Sequence, residues 1–210
     1  KMPALYNRLI KKYYNRFDSI ICQSVYMQQD LIAHYNIPAD KTTVIYNATQ
    51  EVLNDQLQQE KQTTDRVYKF ITIARLSKEK GIERLIYAVG LLSVPFQYYI
   101  IGEGSKRQEL QKLINELHMQ DNIFLLGEKP EHFTGMEDAN LFLMGSYYEG
   151  FPNVLLEGGI RGIPVISFNV PGGIAEIITS GENGLLVEDN DIITFATAIK
   201  KGLDTKFNSN

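Results

Sequence analysis

The chain has one cysteine, no tryptophan and only three histidines, His34, His118 and His132, which lie far apart in sequence. A single thiol, Cys22, excludes an internal disulfide, so a reducing, cytoplasmic setting is the expectation. No run of about 20 consecutive apolar residues occurs, as a membrane-spanning helix would need. Charge-free stretches such as residues 162–175 are short and broken by Gly, Pro and Asn. Histidine and cysteine are nowhere clustered at metal-ligand spacing. Acidic residues are missing from residues 1–17, which hold Lys1, Arg8, Lys11, Lys12 and Arg16, whereas the remainder carries 16 bases against 25 acids. A main domain this acidic speaks against nucleic acid as its partner.

What is present fits a globular chain: 44% hydrophobic and 22% charged residues over a length of 210, enough for one good-sized domain plus an appendage. The first residue is Lys1, which cannot initiate translation, so the expectation is a piece of a longer protein with any leader or anchor out of view.

Residues 4–17 read as a helix, with Leu5, Leu9, Tyr13 and Phe17 recurring every four positions. Residues 19–23 and 43–46 read as short buried strands and residues 26–35 as a second helix, the remnant of an αβαβ arrangement. Residues 48–66 are polar and glutamine-rich (Gln50, Gln56, Gln58, Gln59, Gln62) and read as an interdomain connection, with a short helix at residues 52–57. Strand and helix patterns then alternate. Apolar strands are expected at residues 67–74, 96–102, 122–127, 141–144, 163–168 and 185–187. A helix carrying Ile82, Leu85, Ile86 and Val89 follows the first, and one capped by Ser105 with Gln108 follows the second. The last helix carries Ile192, Phe195, Ala196, Ile199 and Leu203. Such alternation predicts an α/β, Rossmann-like parallel sheet with helices on both faces, whose ligand site lies at the carboxyl ends of the strands.

Three segments sit at such ends. Arg75-Leu-Ser-Lys-Glu-Lys80-Gly81 offers a guanidinium that can fork onto two phosphate oxygens and a flexible ammonium. Taken alone, it reads as an exposed charged turn before it reads as a phosphate site. Ile101-Gly102-Glu103-Gly104-Ser105 is a glycine turn that would admit a ligand close to the backbone, although it lacks the third glycine of a dinucleotide fingerprint. The third segment is Ser146-Tyr-Tyr-Glu149-Gly150-Phe151-Pro152-Asn153-Val154-Leu155-Leu156-Glu157. It turns through Gly150 into a helix starting near Pro152, which leaves amides around Asn153, Val154 and Leu155 as unpaired donors between two carboxylates. Two lone glutamates would be an ordinary turn acid and helix acid; the glycine, proline and asparagine between them favour a site.

This third segment resembles the E-x₇-E motif of family 4 glycosyltransferases, two-domain enzymes of the GT-B fold. Similar pieces stand in that family's order at residues 44–47, 75–81, 101–104, 162–166, 171–176 and 181–187. The resemblance implies that residues 1–47 are a remnant of the N-terminal acceptor domain, residues 67–205 the nucleotide-sugar-binding domain, and residues 206–210 a tail. It further implies that Arg75 and Lys80 bind a donor diphosphate, with Glu157 on the ribose and Glu149 on the transferred sugar. The backbone of Phe151, Pro152, Asn153, Val154 and Leu155 would meet sugar and phosphate, with Gly102 nearby. Glu128 and Lys129 would lie toward the base.

The implied activity is retaining transfer from a nucleotide sugar, a UDP-sugar by default and a GDP-sugar next, without metal or other cofactor. The acceptor would be a glycan or lipid-linked glycan held by the missing domain, so the fragment alone would transfer little. Alternatives are another GT-B enzyme, an epimerase or phosphorylase, or a non-catalytic nucleotide-sugar-binding module. The basic, aromatic helix at residues 4–17 could touch anionic lipid in the intact enzyme, as a peripheral protein at the cytoplasmic membrane face; a solvated face on the missing domain, whose removal exposes apolar positions, is the favoured reading. Three departures from the family pattern stand out: Ala48 for glycine, Asn140 for aspartate, and Gly158-Gly159 inside the expected helix, where each glycine costs about 1 kcal/mol relative to alanine. Glu176 is expected to cap or orient its own helix.

Overall fold

The computed structural model describes residues 4–49, 66–131 and 133–207. His132, most of the glutamine-rich connection with its expected helix at 52–57, and the last three residues of the tail lie outside the described residues.

The N-terminal unit is small. Helix α1 (Ala4–Tyr13) runs into a 3-10 turn (Tyr14–Arg16), then strand β1 (Ile20–Cys22), helix α2 (Val25–Tyr35) and strand β2 (Thr42–Val44). β1 and β2 pair in parallel as a two-stranded sheet. Ser24 caps α2 by accepting the Met27 N–H at 3.0 Å, and Asn36 ends it in the left-handed region at φ 56°. Cys22, Leu31 and Ile37 form its buried centre, and burial pushes the Cys22 thiol above its ordinary range. Tyr6, Leu9 and Tyr13 are exposed along α1, as is Phe17 just after the 3-10 turn.

The larger unit contains strands β3 (Tyr68–Ile73), β4 (Phe96–Ile101), β5 (Ile123–Gly127), β6 (Leu141–Met144), β7 (Val165–Asn169) and β8 (Gly184–Glu188). All are parallel, in the order β5-β4-β3-β6-β7-β8. The chain starts in the middle, builds outward to β5, returns to β6 beside β3, and builds the other way. Between come helices α3 (Ile82–Val89), α4 (Arg107–Glu116), α5 (Asn153–Ile160) and the short α6 (Ile174–Ile177), with α7 (Ile192–Asp204) last. Because parallel crossovers are right-handed, reversing the direction of building moves the connecting helices to the opposite face. Accordingly α3 packs on α4 and α7, while α5 and α6 lie against β7 apart from that trio.

Strands covered on both faces are predominantly apolar, with few polar side chains such as Lys69, Thr72, Gln97 and Ser167. β6 is buried along its whole length, and Phe70, Ile71, Tyr98, Ile100 and Phe142 are fully enclosed. Each such side chain contributes about 1.5–3 kcal/mol. Phe168 stacks on Phe195 with ring centroids 4.4 Å apart, locking α7 to β7. The one buried hydroxyl pair among these strands is satisfied: Thr72 takes the Tyr98 hydroxyl at 2.6 Å and donates to the Leu143 carbonyl at 2.6 Å. Asn140, where the family pattern has aspartate, accepts the Lys69 N–H at 2.8 Å and so aligns the starts of β3 and β6.

One local expectation fails. The capping box at Ser105 and Gln108 does not form; α4 starts at Arg107, because the preceding turn hands the Lys106 N–H to the Leu76 carbonyl at 2.8 Å. Ala48 needs no left-handed backbone, so the departure from glycine there costs nothing. The glycines inside α5 differ from one another: Gly158 is buried toward Phe133 and Phe142, whereas nothing lies within 4 Å of where a Gly159 side chain would begin.

Candidate donor site

The point where strand order reverses lies between β3 and β6, and in open parallel sheets the crevice there is where ligands bind. The loops leaving these two strands carry Arg75–Lys80 and Ser146–Glu149. They meet through the Tyr147 N–H, which donates to the Glu79 carbonyl at 2.9 Å. Lys80 Nζ stands 2.7 Å from Glu149 Oε1, and both side chains are largely enclosed, 21% and 9% exposed. The Ser146 hydroxyl donates to the same carboxylate oxygen. A buried ion pair needs such a further donor to offset its desolvation.

Arg75 is the exposed member of the group. Its side chain is 71% exposed and reaches Glu79 only at 3.8 Å, which leaves its fork free for a ligand. Glu79 itself is fixed by the Ser77 hydroxyl at 2.6 Å, and that hydrogen bond, with help from Arg75 and Lys80, holds its carboxyl below the usual range. An open pocket of about 400 Å³ runs along the ends of β3, β4 and β5, lined by Ala74, Arg75, Gly102, Glu103 and Glu128.

Gly102 borders this pocket, yet its lack of a side chain has a structural cause. At φ 138° a Cβ would fall 2.0 Å from the Ala74 carbonyl oxygen, so the glycine lets the β3 and β4 loops close on each other.

Helix α5 begins at Asn153 with Pro152 as its cap residue. Of the amides expected to be free, that of Leu155 is spent on the Pro152 carbonyl at 3.0 Å, and the Leu155 side chain is buried. The N–H groups of Asn153 and Val154 have no acceptor among the described residues, so two donors remain. Glu157 is half-buried one turn further on; its carbonyl accepts from Arg161, and its carboxylate has no partner among the described residues. Phe151 packs on Tyr46 (ring centroids 5.3 Å), and Asn153 Oδ1 accepts from the Asn47 side chain at 2.8 Å. The N-terminal unit thus touches the start of α5.

Sequence reasoning missed Arg84. Its guanidinium, 3% exposed, lies between the rings of Phe168 (3.9 Å) and Tyr147 (4.1 Å). It donates to the carbonyls of Gly145 (2.6 Å) and Ser146 and to Asp189 (2.6 Å), so it grips the strand end from which Ser146 and Glu149 project. The chain also holds one Asp-x-Asp spacing, Asp189-Asn190-Asp191, which runs against the expectation of a metal-free site. Both carboxylates are engaged elsewhere: Asp189 holds Arg84, and Asp191 caps α7 by accepting from Thr194. Among the described residues no group of three or more His, Cys, Asp or Glu side chains is placed to hold a metal ion. His34 pairs with Asp30 on α2, and His118 follows α4 in the left-handed region, φ 55°.

Glu176 does not serve its own helix. Its carboxylate accepts the backbone N–H groups of Val25 and Tyr26, each at 2.9 Å, and the Tyr46 hydroxyl at 3.1 Å. Among the described residues no helix is long and apolar enough to cross a membrane.

Comparison with known proteins identifies the family and the fold. The family described as glycosyl transferases group 1 matches residues 54–209, and glycosyltransferase family 4 matches residues 1–50. The chain is 30% identical over 197 residues to the N-acetylgalactosamine-N,N'-diacetylbacillosaminyl-diphospho-undecaprenol 4-alpha-N-acetylgalactosaminyltransferase of Campylobacter jejuni, covering 90% of this chain and 53% of that protein. It is 29% identical over 188 residues to a glycosyltransferase of Methanocaldococcus jannaschii, covering 83% and 46%. The chain therefore spans about half the length of these curated relatives. Among solved structures, Anabaena Alr3699/HepE in complex with UDP is similar with a TM-score of 0.82 at 23% identity, over 95% of this chain and 58% of that one. The pneumococcal O-GlcNAc transferase GtfA in complex with UDP and GlcNAc gives 0.75 at 24% identity, over 95% and 42%. These likenesses at low identity are likenesses of fold, that of the GT-B glycosyltransferases. Because the first of the two family matches covers most of the residues, the chain belongs to the glycosyl transferases group 1 family.

Proposed function

We propose that this chain is the donor half of a retaining glycosyltransferase that takes a nucleotide-diphosphate sugar, a UDP-sugar first and a GDP-sugar second. The observation that carries the reading is the enclosed Lys80–Glu149 pair at the topological switch point, beside the two free amides of α5. In this reading residues 1–47 belong to the acceptor domain, residues 48–66 connect the domains, and residues 67–205 bind the donor. The rest of the acceptor domain covers the exposed apolar side of α1 and supplies the site for a glycan or lipid-linked acceptor.

The chemistry asks for charge at two places. As the bond between the sugar's anomeric carbon and the diphosphate breaks, negative charge gathers on the leaving phosphate. Arg75 and Lys80 stand where fixed cations would favour that state without reorganising. Glu149, held by Lys80 and Ser146, accepts hydrogen bonds from sugar hydroxyls, and Glu157, with a free carboxylate, accepts those of the ribose. The Asn153 and Val154 amides meet phosphate or sugar oxygens. Two cations already oppose the diphosphate, so the proposed reaction uses no divalent ion.

UDP-bound relatives such as Alr3699/HepE and GtfA support the choice of UDP over other nucleotides. The test is calorimetric titration of the folded chain with UDP, GDP and ADP. UDP should bind most tightly, with equal affinity in EDTA. Absence of binding by all three would overturn the donor assignment. Glu157→Ala should weaken UDP itself, whereas Glu149→Ala should spare UDP and weaken only a UDP-sugar.

A further inference from the structure

Glu176 stands on the short α6, directly after the β7 loop, yet among the described residues every hydrogen bond its carboxylate makes crosses to the N-terminal unit. It closes the first turn of α2 through two backbone N–H groups and steadies Tyr46, whose ring packs on Phe151. The loop that carries α6 is in turn stitched to the Glu149 turn. The Glu149 N–H donates to the Pro171 carbonyl at 3.1 Å, and the Gly173 N–H donates to the Gly150 carbonyl at 2.9 Å. Gly172, at φ 131°, is pressed so close that a Cβ would fall 1.7 Å from the Glu149 carbonyl oxygen. A Cβ on Gly173 would likewise crowd Gly150, Phe151 and Ser24.

A contiguous set of contacts therefore runs from the start of α2, through Glu176 and residues 171–173, to Glu149 and Lys80. We propose that Glu176 is a positioning residue, an acceptor latch that holds the N-terminal unit against the donor loops and couples its placement to the Glu149 turn. A glutamate suits this task because one carboxylate offers enough lone pairs for two amides and a hydroxyl at once. An amide side chain presents a single oxygen and cannot replace it. The latch rests on the hydrogen bonds alone; its coupling to a ligand rests on the nucleotide reading given above.

Hydrogen exchange of backbone amides separates the two parts. In Glu176→Gln, exchange at Val25 and Tyr26 should accelerate by about tenfold or more, while amides of β3 and β6 keep their protection. Tyr46→Phe, which removes one hydrogen bond of three, should give a smaller acceleration. Unchanged exchange at Val25 and Tyr26 in Glu176→Gln would overturn the latch. In the wild type, saturating UDP should slow exchange at the same two amides by ordering the Glu149 turn, and Glu176→Gln should abolish that slowing. A helix cap with no positioning role would leave these amides indifferent to UDP, so bound UDP without any slowing overturns the coupling. If UDP does not bind, the nucleotide assignment fails, and the wild-type and Glu176→Gln exchange rates still decide the latch.

Discussion

Lys80 and Glu149 come from loops 69 residues apart and meet at 2.7 Å, with Ser146 donating to the same carboxylate oxygen. Ser146 is a near neighbour of Glu149 in sequence, but Lys80 reaches that carboxylate from a different loop. The pair exists because β3 and β6 are adjacent, and their adjacency follows from the chain's return across the sheet after β5. Among the described residues, removing the cation leaves an enclosed carboxylate with only Ser146 to satisfy it. Lys80→Met should therefore lower stability by about 1–3 kcal/mol, read from the urea midpoint. The double variant with Glu149→Gln should recover part of that loss, since the uncompensated charge is gone. Strictly additive losses would mean the two side chains do not interact in solution.

Arg84 yields the largest expected effect on the fold. Arg84→Met keeps the aliphatic volume between Tyr147 and Phe168 but abandons the Gly145 and Ser146 carbonyls and Asp189. A cost of about 3–5 kcal/mol is expected by chemical denaturation. Arg84→Lys can still reach one acceptor but has no planar fork, and should lie between wild type and Arg84→Met. A loss under about 1 kcal/mol for Arg84→Met would show that the clamp on the β6 end contributes little.

The contrast between these two sites explains what the sequence could and could not reveal. The strands are legible because each is a short, mainly apolar run between turn residues, and the segments at 75–81 and 146–157 are legible as carboxyl-end loops because each follows such a run. Arg84 is hidden by a sound rule that does not suit its helix. A single apolar stripe of Ile82, Leu85, Ile86 and Val89 puts Arg84 on the solvent side, but α3 packs on α4 and α7 as well as on the sheet, so Arg84 and Ala88 are buried too. Glu176 is legible as a capping acid, yet the helix it caps begins about 150 residues earlier, and no local pattern encodes that. Gly102 suggests room for a ligand; the neighbour demanding that room is the Ala74 carbonyl. In each case the residue type is informative and the partner comes from tertiary packing.

Helix α5 can be made more stable without touching the site. Gly159 lies in its interior, exposed, with nothing within 4 Å of where a Cβ would stand, so Gly159→Ala should raise stability by about 0.4–1 kcal/mol through lower unfolded-state entropy. Gly158→Ala would bring a methyl group to 3.7 Å from Phe133 and Phe142, ordinary contact distance, and should also stabilise. A fall in melting temperature for Gly159→Ala would mean that the last turns of α5 are not helical in solution.

Glu176 also gives the chain a pH dependence of known sign. Burial alone would raise its carboxyl above the ordinary value of 4.5, but the Tyr26 and Val25 N–H groups and the Tyr46 hydroxyl outweigh burial and lower it. The same contact raises the Tyr46 hydroxyl, because a phenolate beside the carboxylate would lose the hydrogen bond and be repelled. A carboxyl lowered on folding contributes stability that is fully present above its unfolded value and disappears as pH falls through its folded value. Wild type should thus exceed Glu176→Gln in urea midpoint from neutral pH down to about pH 5, with the difference closing at lower pH as the wild-type carboxyl takes up its proton. A gap that stays constant down to about pH 3 would mean that the charge of Glu176 does not carry its contribution to stability.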